Sequence, residues 1–261
     1  MNPSETAGMT TGAVTSRDGP RTGYPPPGQG PDATVTHAGP RRQLLTVPGV
    51  TGIEFTLSWI AGLAILAPSP KLTASGAGIA AAFAGHQAAV AAQFALTEGL
   101  PAAGLAVVSV ALARAARRSG AAVAARFACI AGVAAAVISL AQFVLGMVLA
   151  GTSAPGTAHV LYEAVNRLDG LKMFALAALA LAGAASGVLP RWLRYTGIAL
   201  AFALVSSGVP YLLLLQGGAV LAYVSGPLLL LFITGTGIAL GTSAGKPLAH
   251  DRTAAARLLG S

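Results

Sequence analysis

Charged residues are scarce in this chain: Asp, Glu, Lys and Arg make up 9% of its 261 residues, against about 25% in soluble globular proteins. Apolar residues make up 54%, and the mean hydropathy is +0.71. So little charge excludes an ordinary soluble domain. We therefore predict an all-α fold in the form of a polytopic transmembrane helix bundle.

Cysteine and catalytic motifs are equally scarce. Cys129 is the single cysteine and lies in an apolar run, so no intramolecular disulfide or paired-cysteine metal site can form. The chain lacks a Gly-rich phosphate loop, a G-x-S-x-G elbow and a zinc-protease motif, and no motif supports an enzyme. His86 and His159 are suitable haem ligands, and Glu163 and Asp169 could join them around a metal. No paired ligand spacing occurs, and we predict no metal, haem or other cofactor.

Seven apolar segments are long enough, or nearly so, to cross a membrane as a helix, which takes about 20 residues. They lie at 48–67, 74–96, 99–115, 123–149, 171–189, 194–216 and 218–241. The stretch 195–245 has no charged residue and is long enough for two spans. The 74–96 segment is rich in alanine and glycine, so a re-entrant or tilted hairpin over 74–115 is the alternative to two full spans there.

The two ends of the chain differ from the apolar part. Residues 1–46 are rich in Pro, Gly, Ser and Thr, and such a segment buries too little surface to offset its conformational entropy. We predict a disordered N-terminal tail over 1–46, a transmembrane domain over 47–241 and a short cytoplasmic C-terminal tail over 242–261.

The net charge of +8 is carried at the margins of apolar runs. This distribution argues against a nucleic-acid partner and for contact with a lipid bilayer. Cytoplasmic loops carry more Lys and Arg than outer loops. With seven spans, this rule predicts an N-terminus outside and a C-terminus in the cytoplasm, although Arg41 and Arg42 beside the first span argue the other way.

Ionisable residues cluster at 157–172, directly before the fifth apolar run. Plotted at 100° per residue, the polar side of this segment carries His159, Tyr162, Glu163, Asn166, Gly170 and Met173. Apolar residues occupy the other side, which predicts an amphipathic helix that leads into the fifth span. Its polar face borders a ligand cavity or, alternatively, meets water and lipid headgroups.

Two further ionisable residues lie inside apolar segments, where such side chains are costly and tend to face the bundle interior. Glu54 shares a helical face with Ser58, and His86 shares one with Gln93; a neutral, hydrogen-bonded His86 is the alternative. Glu98 precedes Gly99 and Pro101, so we expect it in a tight turn without a special role. The candidate ligand-binding residues are Glu54, His86, Gln93, His159, Tyr162, Glu163 and Asn166.

The segment 187–197 reads Gly-Val-Leu-Pro-Arg-Trp-Leu-Arg-Tyr-Thr-Gly. It resembles a turn between two late spans in uncharacterised multi-pass membrane proteins of actinobacteria, a domain of unknown function. The resemblance covers about 158–205, implies a bacterial plasma membrane and implies no activity. Arg194 stands where most such turns have glycine. Trp192 and Tyr195 suit the headgroup level, and the flanking arginines suit anionic lipid.

Two functions fit this sequence. The first is a non-enzymatic integral membrane protein of the envelope, such as a sensor or a structural partner. The second is a carrier for a small molecule or an ion, with a cavity bordered by Glu54, His86 and the 159–170 helix. The second requires these side chains to converge on one hydrated cavity. The partners predicted are the bilayer and, for a carrier, a small ligand.

Overall fold

The computed structural model describes residues 46–65 and 67–243, and every regular element in this part of the chain is a helix. The helices are α1 (Val47–Ala64), α2 (Gly76–Phe83), α3 (Gln87–Arg118), α4 (Ala122–Gly151), α5 (Pro155–Ala185), α6 (Arg191–Leu212) and α7 (Ala222–Ser243). The predicted all-α fold is confirmed. The disordered tail predicted over 1–46 and nearly all of the predicted 242–261 tail lie outside the described residues.

Within the described residues, six helices are long and apolar enough to cross a membrane: α1 and α3 to α7. The chain is thus a multi-pass membrane protein. The remaining helix, α2, has 8 residues, which span only about 12 Å at 1.5 Å per residue. A crossing needs roughly 30 Å, so α2 does not provide one.

The structure differs from the sequence prediction over 74–115. In place of two separate spans there, the chain forms the short helix α2 and then the 32-residue helix α3. The break falls at Gly85, whose φ of +78° ends α2; this left-handed conformation suits glycine. No break occurs at 97–98, where the sequence prediction places the turn between two spans; the helix is continuous over Gln87–Arg118.

Helix α3 continues through Pro101 because the turn before it is π-helical and wider than an α-helical turn. A proline inside a helix removes a hydrogen bond and clashes with the carbonyl four residues back. The segment Ala95–Gly99 is a π-helical turn, and the Leu100 N–H donates to the Ala95 carbonyl, five residues back. The prediction that Glu98 lies in a tight turn is therefore wrong: Glu98 lies in this widened part of α3 and is only 9% exposed.

Close helix contacts depend on glycines. A Cβ on Gly170 of α5 would lie 2.7 Å from the backbone nitrogen of Leu212 and 2.8 Å from the carbonyl oxygen of Gly208, both on α6. A Cβ on Gly208 would in turn lie 3.1 Å from the Gly170 carbonyl oxygen. The two helices therefore meet backbone to backbone one residue away from Asp169.

A layer of short segments covers one end of the bundle. Helix α2 packs Ile79 and Phe83 against the end of α4 and the start of α5. Ahead of it, the Tyr162 hydroxyl of α5 donates to the Pro70 carbonyl, and the Leu72 N–H donates to Oε1 of Gln216 at 2.7 Å. The 67–75 segment is thus bound to α5 and to the turn that precedes α7.

At the opposite end, residues 186–190 form the turn between α5 and α6. Helix α6 begins directly after Pro190. The Arg194 Nε donates to the Ala184 carbonyl at 2.9 Å, so this arginine closes the end of α5. Trp192 and Tyr195 are exposed on the outer surface of the bundle.

We predict that Gly170→Ala destabilises the bundle because the new methyl group meets the α6 backbone, which cannot rotate away. Overpacking of this kind costs about 1–3 kcal/mol, and the melting temperature of the purified protein in detergent should fall. Gly156→Ala is the matched control on the same helix, since nothing lies within 4 Å of a Cβ there. Equal melting temperatures for the two variants would contradict the close approach of α5 and α6.

Candidate functional site

Three charged side chains meet inside the bundle. The Lys172 ammonium on α5 donates to both carboxylate oxygens of Glu98 on α3, at 2.9 and 2.7 Å. It also lies 2.8 Å from Oδ1 of Asp169, one helical turn before it on α5. We call Glu98, Asp169 and Lys172 the ion triad. The triad links the widened part of α3 to the middle of α5.

The hydrogen bonds of the triad explain how its charges are tolerated. A lysine ammonium has three N–H donors, and here three carboxylate oxygens surround it. Gln142 of α4 donates its Nε2 to Asp169 Oδ1 at 3.3 Å and to the Val165 carbonyl at 3.1 Å. Buried charges persist in proteins when they are paired and hydrogen-bonded in this way.

The triad lines a cavity of about 280 Å³ between α1 and α3 to α7. Besides the triad, its polar and aromatic lining residues are Phe55, Trp59, Gln93, Thr97, Ser139, Asn166, Tyr211 and Ser225. Apolar side chains from the same helices form the remaining walls. The triad is therefore in contact with a space large enough for a small solute.

The cavity lies in the half of the bundle nearest α2. Leu63, which lines it, is next to the last residue of α1; Tyr211 is next to the last residue of α6; Ala222 is the first residue of α7. These helix ends all belong to the end of the bundle that the 67–75 segment and α2 cover. A solute that entered from this end would have the shorter path to the triad.

Of the seven candidate residues, the structure brings Gln93 and Asn166 to the cavity. Tyr162 donates instead to Pro70 in the covering layer, and Glu163 pairs with Arg167 at 2.8 Å on the surface. Whether any of them binds a ligand stays a prediction.

The other three candidates lie apart from the cavity. His86 and His159 are exposed, and the Glu54 carboxylate lies against Gly104 of α3. The cavity therefore differs from the predicted one: residues of the 159–170 helix line it, but Glu54 and His86 do not. His86 falls in the turn between α2 and α3, and His159 lies ten residues before Asp169, or about 15 Å along the helix.

Sequence reasoning missed all three members of the triad as site residues. From the sequence, Glu98 is expected in a turn, Asp169 is considered only as a metal ligand, and Lys172 belongs to the 157–172 cluster without an assigned role. The available signal was charge balance: each is an ionisable residue in or beside an apolar run, and each needs a partner of opposite charge. Among the described residues, no group of three His, Cys, Asp or Glu side chains could hold a metal ion.

Comparison of the chain with protein families, with curated proteins and with solved structures found no match.

We predict that Lys172→Met sharply lowers the stability of the protein, because it leaves two carboxylates inside the bundle without a cation. Breaking a buried pair in this way costs about 3–5 kcal/mol. Adding Glu98→Gln and Asp169→Asn should restore most of that loss, since a neutral cluster needs no counter-charge. Thermal unfolding in detergent measures both effects.

The control for this series is Arg167→Met, which breaks the exposed Glu163–Arg167 pair on the same helix and should change the melting temperature little. A Lys172→Met protein as stable as the Arg167→Met protein would contradict the buried pairing.

Proposed function

We propose that this multi-pass membrane protein is a carrier that binds a small solute in the cavity beside the ion triad. The observation that carries the proposal is the position of Glu98 and Lys172, which are buried within apolar helices and yet line an internal space. Ionisable residues inside a membrane bundle are expensive, and they mark substrate and ion pathways.

Stability alone is a weak reason to keep such a triad. Replacing a buried ion pair by packed apolar side chains of similar volume is often neutral or stabilising, so a purely structural bundle gains little from Glu98 and Lys172. The π-helical turn points the same way, since such turns occur frequently at functional sites. Here the π turn Ala95–Gly99 carries Glu98 to the cavity wall.

A non-enzymatic structural or sensor role is the second candidate, and one observation favours it. The Lys172 ammonium uses all of its donors within the protein and ties α3 to α5. In that case the cavity is dry, and the triad acts as a clamp between helices. Access of water to the cavity separates the two candidates.

For the orientation, six crossings support a different arrangement from the one predicted with seven. An even number of spans places both ends of the chain on the same side of the membrane. Within about 20 residues of the ends of the spans, that side carries Arg41, Arg42, Arg114, Arg117, Arg118, Arg126, Arg191, Arg194, Lys246, Arg252 and Arg257. The other side carries Lys71 and, in the N-terminal part of α5, Arg167 and Lys172. Because cytoplasmic loops are the basic ones, we place both ends in the cytoplasm and the cavity nearer the outer face.

This orientation predicts the behaviour of reporter fusions in bacterial cells. A fluorescent protein that folds only in the cytoplasm should be bright at either end of the chain. Alkaline phosphatase, which is active only outside the cytoplasm, should be active when inserted beside Lys71 and inactive when fused after residue 261. An active phosphatase at the C-terminus would contradict the arrangement.

Cysteine labelling tests the proposed carrier function. In a Cys129→Ala background without other cysteines, Ser139→Cys places a thiol on the cavity wall. Val137→Cys is the matched control two residues earlier on α4, where the side chain is 59% exposed on the apolar outer surface. A membrane-impermeant thiosulfonate reacts with thiols that water reaches, so Ser139→Cys should be labelled and Val137→Cys should not.

Labelling of Ser139→Cys should be faster from the outer side of sealed vesicles than from the inner side. An unreactive thiol at residue 139 in a folded protein would show that the cavity is dry, and it would favour the structural candidate.

A further inference from the structure

The charges around the cavity do not balance. Two carboxylates face one ammonium, and Lys172 is the single basic side chain among the described residues that line the space. Within a surrounding of low dielectric constant, this excess negative charge is only partly compensated. A ligand with one positive charge would balance it.

The unused hydrogen-bond acceptors lie on one face of α5. The Lys172 ammonium and the Gln142 amide both contact Oδ1 of Asp169. In the described part of the chain, Oδ2 of Asp169 has no hydrogen-bond partner. Asn166, more than nine-tenths buried and one helical turn before it, donates Nδ2 to the Tyr162 carbonyl at 2.7 Å. Its Oδ1 accepts nothing from the described residues. Both residues line the cavity, where they offer two oxygens to an N–H donor.

The one cationic donor among the described residues of the site, the Lys172 ammonium, is already in use. The Lys172 ammonium directs its hydrogens to Glu98 and Asp169. An anionic ligand would therefore have to displace these carboxylates before it could pair with the lysine. Glu98 is held at both oxygens by the same ammonium. Asp169 is thus the member of the triad with an oxygen left for a hydrogen-bond donor on a ligand.

The remaining walls suit an apolar body. Trp59 and Tyr211 present aromatic rings to the space, and the face of such a ring attracts a nearby cation. Phe55, Leu105 and Leu204 add aliphatic and aromatic surface. At about 280 Å³, the cavity is close to the lower end of small-molecule pockets, which begin near 300 Å³.

We propose that the cavity binds a small organic cation, a protonated or quaternary amine with a compact apolar body. This inference rests on the proposed carrier function and names its substrate class. The ammonium group of the ligand lies at Asp169 and Asn166, and its body packs against Trp59 and Tyr211. Lys172 stays on Glu98 and keeps that carboxylate neutralised.

Tryptophan fluorescence provides a direct test. The chain has two tryptophans, and Trp192→Phe leaves Trp59, on the cavity wall, as the sole reporter. Three probes of similar shape differ in charge: phenethylammonium, phenethyl alcohol and phenylacetate. A charged hydrogen bond is worth about 1.5–3 kcal/mol, so the cation should bind at least about tenfold more tightly than the neutral alcohol. Phenylacetate should bind most weakly of the three.

Two further variants check the origin of the signal. Asp169→Asn should reduce the affinity for phenethylammonium at least about tenfold while leaving the affinity for the alcohol nearly unchanged. It removes the excess charge and keeps the Glu98–Lys172 pair, so the protein should still fold, which its melting temperature checks. Glu163→Gln is the matched control, an acidic residue on the same helix that pairs on the surface. In Trp59→Phe the remaining fluorescence comes from Trp192 on the outer surface. A change in that fluorescence measures how far each probe partitions into the detergent.

The outcomes separate this inference from the carrier proposal. Tighter binding of the cation that Asp169→Asn weakens and Glu163→Gln does not would support a cation site. The cation site would be contradicted if the alcohol or phenylacetate bound as tightly as phenethylammonium or more tightly. It would also be contradicted if no probe changed the fluorescence of a protein whose thiol at residue 139 is labelled. Either result would leave the proposed solute cavity unaffected. An unlabelled thiol would overturn both.

Discussion

The bond between the Lys172 ammonium and the two carboxylates of Glu98 and Asp169 is the interaction on which the rest of this structure depends. In a bundle with so few charges, these groups cannot be left facing apolar side chains, because an unpaired buried ion costs several kcal/mol. Their pairing therefore determines which faces of α3 and α5 point toward each other. The cavity lies directly beside this pairing, in a space that the neighbouring apolar side chains leave unfilled.

Two backbone features bring the triad together. The π-helical turn of α3 shifts Glu98 relative to an ideal helix and carries the chain past Pro101. On the opposite side, Gly170 lets α6 touch the backbone of α5 beside Asp169, which brings Tyr211 to the cavity. The tight contact between α5 and α6 depends on Gly170, and the position of Glu98 at the cavity depends on the π-helical turn. The site is thus built into the spans and does not depend on the covering layer for its charges.

The helices themselves follow from the sequence, because long runs without charge can satisfy their backbone in lipid only as helices. The error over 74–115 arose where Pro101 and Gly99 favoured a turn locally, while the packing of α3 against its neighbours favoured one continuous helix. Such a choice depends on contacts between distant segments and is not visible in a local pattern.

Part of the site was predictable from the sequence, and part was not. Helical periodicity placed Asn166 on the polar side of its helix, and the structure places this residue on the cavity wall. Glu98 could not be paired with Lys172 without knowing that α3 lies against α5. Two positions 74 residues apart become neighbours only when the order of packing is known.

That separation has a consequence for how the protein is made. Synthesis runs from the N-terminus, so Glu98 enters the membrane when Lys172 has not yet been translated. Helix α3 therefore inserts with a carboxyl group that has no counter-charge, and its final position waits for α5 to emerge. The triad is thus complete once α5 has been made, whereas the cavity wall also needs α6 and α7, which follow α5 in the chain.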